Sequence, residues 1–111
     1  MQNPNKVFTY LGFCIRSGKI VYGVDDIEKQ KKGVCLLIAD GALSENSLKA
    51  MIKAQEKFAC PFLVTENGIL GELLHKPAVK AVALKDKNLS SAILSAAEGS
   101  SKLKFISGGK D

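Results

Sequence analysis

The side chains best placed for chemistry fall in one stretch, Arg16-Ser17-Gly18-Lys19-Ile20-Val21-Tyr22-Gly23-Val24-Asp25-Asp26-Ile27-Glu28-Lys29. Two basic residues and a glycine are followed by a second glycine at the mouth of a short helix, so that backbone N–H groups and the positive end of the helix dipole face outward. That combination can hold a phosphate backbone while polar side chains on the first helical turn reach base edges. A surface helix with ordinary caps would carry the same pattern, with Asp25 and Asp26 stabilising its N-terminus.

Other reactive groupings are sparse. His75 is the only histidine and is not joined by Cys or carboxylates in a ligand-spaced cluster, so no metal site is expected. Gly12 to Lys19 has the outline of a phosphate loop, but five residues separate its glycines and Ile20 stands where Ser or Thr should hold magnesium. No G-x-S-x-G elbow occurs, and the adjacent Asp25 and Asp26 point in different directions on a helix rather than forming a catalytic pair. The chain is therefore expected not to be an enzyme and to use no cofactor.

Short apolar runs alternating with helical patterns must position these residues. Val7, Phe8, Leu11, Cys14 and Ile15 form the stripe of a first helix, with Gly18 placed just past its end. A second helix starts after Gly23 and is expected to run through the polar stretch to Lys32 and stop at Gly33. Ser44 is a plausible N-cap for a third, in which Leu48, Met51, Ile52, Gln55 and Ala59 follow helical spacing to Cys60-Pro61, with Leu43 and Leu48 as the staple. Ile69 to Leu74 give a short fourth helix before Pro77, and Leu89 to Ala97 a fifth, closed by Gly99. Between them Cys35–Ala39, Phe62–Val64 and Val79–Leu84 read as strands covered on both faces, with Ile20–Tyr22 as a further strand at the sheet edge. The expected fold is a three-layer α/β/α sandwich on a small, mainly parallel mixed sheet of about four strands. Residues 1–99 form the domain, and 100–111 a basic tail expected to be mobile.

With 111 residues, 46% of them hydrophobic, one domain can bury a core of its own, which excludes a disordered chain. No apolar run approaches the roughly 20 residues of a membrane span, and the N-terminus lacks the pattern of a secretory signal, so a cytoplasmic protein with no membrane contact is expected. Cys14, Cys35 and Cys60, odd in number and 21 and 25 residues apart, suggest three buried reduced thiols. The net charge of +5 is uneven: residues 1–33 and 79–111 carry +3 each and the middle −1. Such a distribution suits a nucleic-acid partner if the two ends of the chain converge.

At the Arg16–Lys29 stretch the chain resembles the small ribosomal-protein family that includes the archaeal seven-Ae and eukaryotic thirty-e large-subunit proteins, many of which bind kink-turn RNA. It is especially similar to the bacterial seven-Ae-like members. The resemblance spans about residues 6 to 97: Leu11-Gly12 with Arg16-Ser17-Gly18-Lys19 and Gly23, then Leu37-Ile38-Ala39-Asp40 with Ala42, Ser44 and Asn46, then Leu70-Gly71-Glu72-Leu73-Leu74-His75-Lys76-Pro77 and Val82-Ala83-Leu84. It implies the same α/β/α sandwich. It also implies an RNA surface of Gly23, Val24, Asp25, Asp26 and Lys29, where relatives open a helix with glycine, a small residue, Asn-Glu and a lysine three residues on. Here Asp25 replaces the asparagine, which removes an amide donor from the usual G·A readout, and Asp26 is one methylene shorter than glutamate. A carboxylate still accepts hydrogen bonds from guanine N–H groups. The loop Lys76-Pro77-Ala78-Val79 would pack a flipped-out nucleotide, with Arg16, Lys19 and Lys80 on nearby phosphates; alternatively it is a simple helix-to-strand connection with Pro77 as a stop.

The expectation is an RNA-binding protein, associated with the ribosome or another structured RNA, that recognises ribosomal or other kink-turn-like RNA by shape, phosphate contact and a few guanine edges. A protein-interaction module on the same fold and a small RNA-acting enzyme are the alternatives.

Overall fold

The computed structural model describes residues 4–97 and 103–107. In chain order the elements are α1 (Pro4–Arg16), β1 (Ile20–Tyr22), α2 (Val24–Glu28), β2 (Leu36–Asp40), α3 (Glu45–Phe58), β3 (Phe62–Thr65), α4 (Ile69–Leu74), β4 (Ala81–Leu84), α5 (Lys87–Ala97) and β5 (Leu103–Ser107). The local signals act as their chemistry dictates. Gly18, at φ 72, closes α1, with Gly18 N–H donating to Ile15 O at 3.2 Å and Lys19 N–H to Cys14 O at 2.9 Å. The hydroxyl of Ser44 accepts from Ser47 N–H at 3.2 Å and starts α3.

Period-two alternation on the strands sorts the core into two slabs. Leu36, Ile38, Leu63, Val82 and Leu84 face α1, α4 and α5, meeting Val7, Leu11, Leu70 and Ile93. Leu37, Ala39, Phe62, Ala81 and Ala83 face α2 and α3, meeting Ile27, Met51 and Ala54. The sheet is thus buried on both sides and the sandwich has three layers.

The strand order is β1-β4-β2-β3-β5, and only β2 and β3 pair in parallel; β1 with β4, β4 with β2 and β3 with β5 are antiparallel. The expected parallel majority is therefore corrected. The reason is the length of the connection: α3, with 14 residues, carries the chain back along the sheet between β2 and β3, whereas α4 has only six. Six helical residues rise roughly 9 Å. That is too short for a return, so β4 starts at the end of the sheet where β3 stops and must run the other way.

Two further expectations change. Residues 103–107 of the presumed mobile tail form β5, which gives β3 the hydrogen-bond partner its outer edge would otherwise lack. The rest of that tail, and Gly99, lie outside the described residues. The second helix stops at Glu28 rather than Lys32, because Ile27 is its only buried residue and the run Lys29–Lys32 offers nothing apolar for another turn to bury. All three cysteines are free as expected; Cys14 and Cys60 are buried, but Cys35 is only half-buried, since it precedes β2.

Candidate nucleic-acid interface

At one end of the sheet, between α2 and the segment leading into β4, lies an open groove of about 580 Å³. The edge strand builds it. Tyr22 pairs with Val82 across β1 and β4, and the ladder continues one step, with Gly23 N–H donating to Ala81 O at 2.9 Å. That bond sets the mouth of α2 beside residues 78–81. Gly23 sits at φ 87 and ψ 148, a backbone region close to glycine-only, and a Cβ added there would find open space. Its carbonyl accepts from Ile27 N–H at 3.0 Å to begin the helix.

One wall is Tyr22, Gly23, Val24, Asp25, Asp26 and Lys29; facing it are Ala78, Lys80 and Ala81, with Leu43 and Ser47 closing the third side. Asp25, Asp26, Lys29 and Lys80 are exposed. Lys29 Nζ lies 4.0 Å from Asp26 Oδ1, a surface pair worth at most about 1 kcal/mol, so both groups are free to turn to a ligand. The walls therefore present carboxylates able to accept hydrogen bonds and ammonium groups able to donate them. Lys76 stands beside them, its Nζ 5.5 Å over the Tyr22 ring.

Beneath the groove the loops are held by Asp40, a carboxylate only 2% exposed at the end of an otherwise apolar strand. Its Oδ1 accepts from Ala42 N–H at 2.8 Å and Gly68 N–H at 2.9 Å, and its Oδ2 from Leu70 N–H at 3.2 Å. Burial pushes the Asp40 carboxyl up, but these three amides and the charge of Lys80 outweigh it and hold the group below its ordinary value of 3.8. The Asp40 N–H itself donates to Lys80 O at 2.8 Å, so one residue ties the loop bearing Leu43, the start of α4 and the groove wall at Lys80 together. Gly41 allows this close crossing: a Cβ there would stand 2.7 Å from Thr65 O. Gly71 does the same for the other loop, since a Cβ would lie 2.9 Å from the Pro77 Cα.

Of the residues expected at an RNA surface, the groove gathers Gly23, Val24, Asp25, Asp26, Lys29, Ala78 and Lys80. Lys76 adjoins it, and Pro77 is exposed behind it, backed on Gly71. Three residues are not brought there. Val79 is half-buried and packs against the slab under α1, α4 and α5 rather than lining the groove. Arg16 and Lys19 lie at the far end of β1, because a strand running from Ile20 to Tyr22 separates them from Gly23. Tyr22, Leu43, Ser47 and Ala81 line the groove beyond the expected set, and Asp40 and Gly41 support it. A lone acid closing an apolar strand and followed by glycine is the signal that points to the latter pair. Among the described residues no group of three or more His, Cys, Asp or Glu could hold a metal ion, and no helix is long and apolar enough to cross a membrane. His75 is exposed at the end of α4, edge-on to Phe8 with ring centroids 5.2 Å apart.

No known protein family matches the chain, and no curated protein does. Among solved structures, a protein of unknown function from Bacillus halodurans C is similar, with a TM-score of 0.69 and 19% identity over 84% of this chain and 97% of that one. At that identity the likeness is one of fold.

Proposed function

We propose that the chain is an RNA-binding protein of the seven-Ae type whose groove takes a bent, structured RNA. The observation that carries this reading is the facing of two short segments across one open groove: the first turn of α2, with Asp25, Asp26 and Lys29, and the loop ending in Ala78 and Lys80. Guanine edges present N–H donors that the two carboxylates can accept, while Lys29, Lys76 and Lys80 are spaced around them for phosphates. Asp25 in place of the relatives' asparagine makes the readout acceptor-only at that position, which favours guanine N–H groups over the standard pair.

The test is a titration of a kink-turn RNA and an unstructured RNA of equal length, against the wild type and Lys80→Ala. The reading requires tighter binding of the kink-turn, a log–log salt slope of about −2 to −3 for three phosphate contacts, and a slope about one unit flatter in the variant. Equal affinity for the two RNAs would leave the groove without a role in shape recognition.

A further inference from the structure

The groove's own walls carry no net charge, because Lys29 and Lys80 are matched by Asp25 and Asp26. The chain's excess of +5 therefore lies elsewhere, and the sheet register shows one place where it gathers. Ile20 pairs with Leu84, and Lys85 N–H donates to Lys19 O at 2.8 Å, so the start of β1 and the end of β4 meet at the end of the sheet away from the groove. The connection after α2 arrives at the same place: Lys85 Nζ donates to Gln30 Oε1 at 2.7 Å, and a Cβ on Gly33 would lie 3.3 Å from Lys85 Cε. Those two contacts bracket Lys31 and Lys32. Helix α1 ends here at Arg16, and α5 begins here at Lys87.

Arg16, Lys19, Lys31, Lys32 and Lys87 are all exposed, and none makes an ion pair among the described residues. Asp86, the acid on the same connection, is turned to cap α5, its Oδ1 accepting from Leu89 N–H at 2.8 Å. Beside the cations, Phe13 is 43% exposed with the Arg16 guanidinium 4.9 Å from its ring centroid. Unpaired cations flanking an exposed aromatic ring and a planar guanidinium suit an unpaired nucleobase with its backbone.

We propose that this end of the sheet is a second RNA-binding surface, which takes single-stranded RNA by its phosphates with a base stacked at Phe13 and Arg16. The choice of RNA among polyanions rests on the function proposed above. Lys19 and Gly23 are four residues apart along the edge strand, roughly 13 Å at 3.3 Å per residue. One RNA can therefore occupy the groove with a structured element and the basic end with its flank.

The experiment is fluorescence anisotropy with a labelled twelve-nucleotide uridine RNA and the full chain. Wild type should bind with a log–log salt slope of about −3.5, from five contacts at roughly 0.7 each. Replacing Lys19, Lys31, Lys32 and Lys87 together by alanine should weaken binding at least tenfold and flatten the slope to about −1. Phe13→Leu should weaken it severalfold with the slope unchanged, and because it removes no charge it keeps the test decisive even if the quadruple variant melts early. A kink-turn RNA without single-stranded flanks should bind Phe13→Leu as it binds the wild type, which separates failure of this surface from failure of the groove. Full affinity in the quadruple variant or in Phe13→Leu would overturn the proposal. So would competition by polyglutamate as effective as by unlabelled RNA, which would assign the surface to acidic proteins.

Discussion

The two ends of the edge strand β1 are built on opposite principles. At the groove end, opposite charges face each other over a scaffold that is fixed in detail: Asp40 binds three backbone amides, and Gly41 and Gly71 sit where a Cβ would strike backbone at 2.7 and 2.9 Å. At the far end, exposed cations without ion-pair partners among the described residues sit at helix ends and on a loop that is held by bonds such as that of Lys85 Nζ to Gln30 Oε1. A site that must read shape needs fixed positions and gains little from net charge, whereas a site that only neutralises phosphates needs charge and tolerates movement. The charge total of a chain thus says little about where its most specific surface lies.

The sharpest way to break this contrast is to remove the scaffold. Asp40→Ala removes the acceptor from three backbone amides, of which that of Leu70 is buried and those of Ala42 and Gly68 partly so, and a loss of about 3 kcal/mol is expected at neutral pH, read as a melting temperature lower by more than 10 °C. A loss within 1 kcal/mol would show that the loops hold themselves. Substituting Lys31 and Lys32 at the other end should leave the melt within about 0.5 kcal/mol of wild type.

The same carboxylate makes the scaffold sensitive to acid. Its folded value lies below its unfolded one, so the folded state binds the proton less tightly; the stabilisation is complete above the ordinary value of 3.8 and is lost as pH falls below about 4 toward the folded value. Denaturant midpoints measured at pH 7 and pH 3 should therefore diverge more in wild type than in Asp40→Asn. Parallel behaviour of the two proteins would remove Asp40 from the acid response.

A smaller effect belongs to Gly23. With φ 87 and ψ 148 but open space around a would-be Cβ, Gly23→Ala should cost about 1–2 kcal/mol through backbone strain alone, with no repacking of neighbours. A neutral result by chemical denaturation would mean that the chain relaxes locally, and the mouth of α2 would then be less fixed than argued.

Much of the fold was legible because each helix stripe and each strand run is strongly periodic: Leu36 to Ala39, buried throughout, and the Ser44 cap are readable without coordinates. Strand direction was not, because the parallel pattern of a doubly covered sheet looks the same whichever way a strand runs, and only the shortness of α4 forces β4 to reverse. β5 escaped because its partner edge exists only in the assembled sheet. In the groove, the glycine and acids at the start of α2 stood out by type and spacing. Arg16 and Lys19 were grouped with them by sequence distance, yet a three-residue strand carries them to the opposite end. Val79 is ambiguous in sequence because an apolar residue in a polar loop reads equally as a nucleotide contact or as core, and it lies half-buried against the core, outside the groove lining.

The least disruptive change is at Asp25. Because a carboxylate accepts but does not donate, Asp25→Asn supplies the amide donor of the asparagine-type readout and should tighten binding to a consensus kink-turn by about 1 kcal/mol while leaving the melt unchanged. Weaker binding would show that the standard motif is itself read through the carboxylate.

The claim on which the rest depends is that structured RNA enters the groove rather than another face. Amide chemical-shift mapping of isotope-labelled protein titrated with a kink-turn RNA tests it residue by residue. The largest shifts are expected at Gly23 to Asp26, Lys29, Ala78 and Lys80, with an RNA lacking single-stranded flanks leaving Arg16, Lys19 and Lys31 in place. Shifts absent from that set, or confined to the far end of β1, would contradict it.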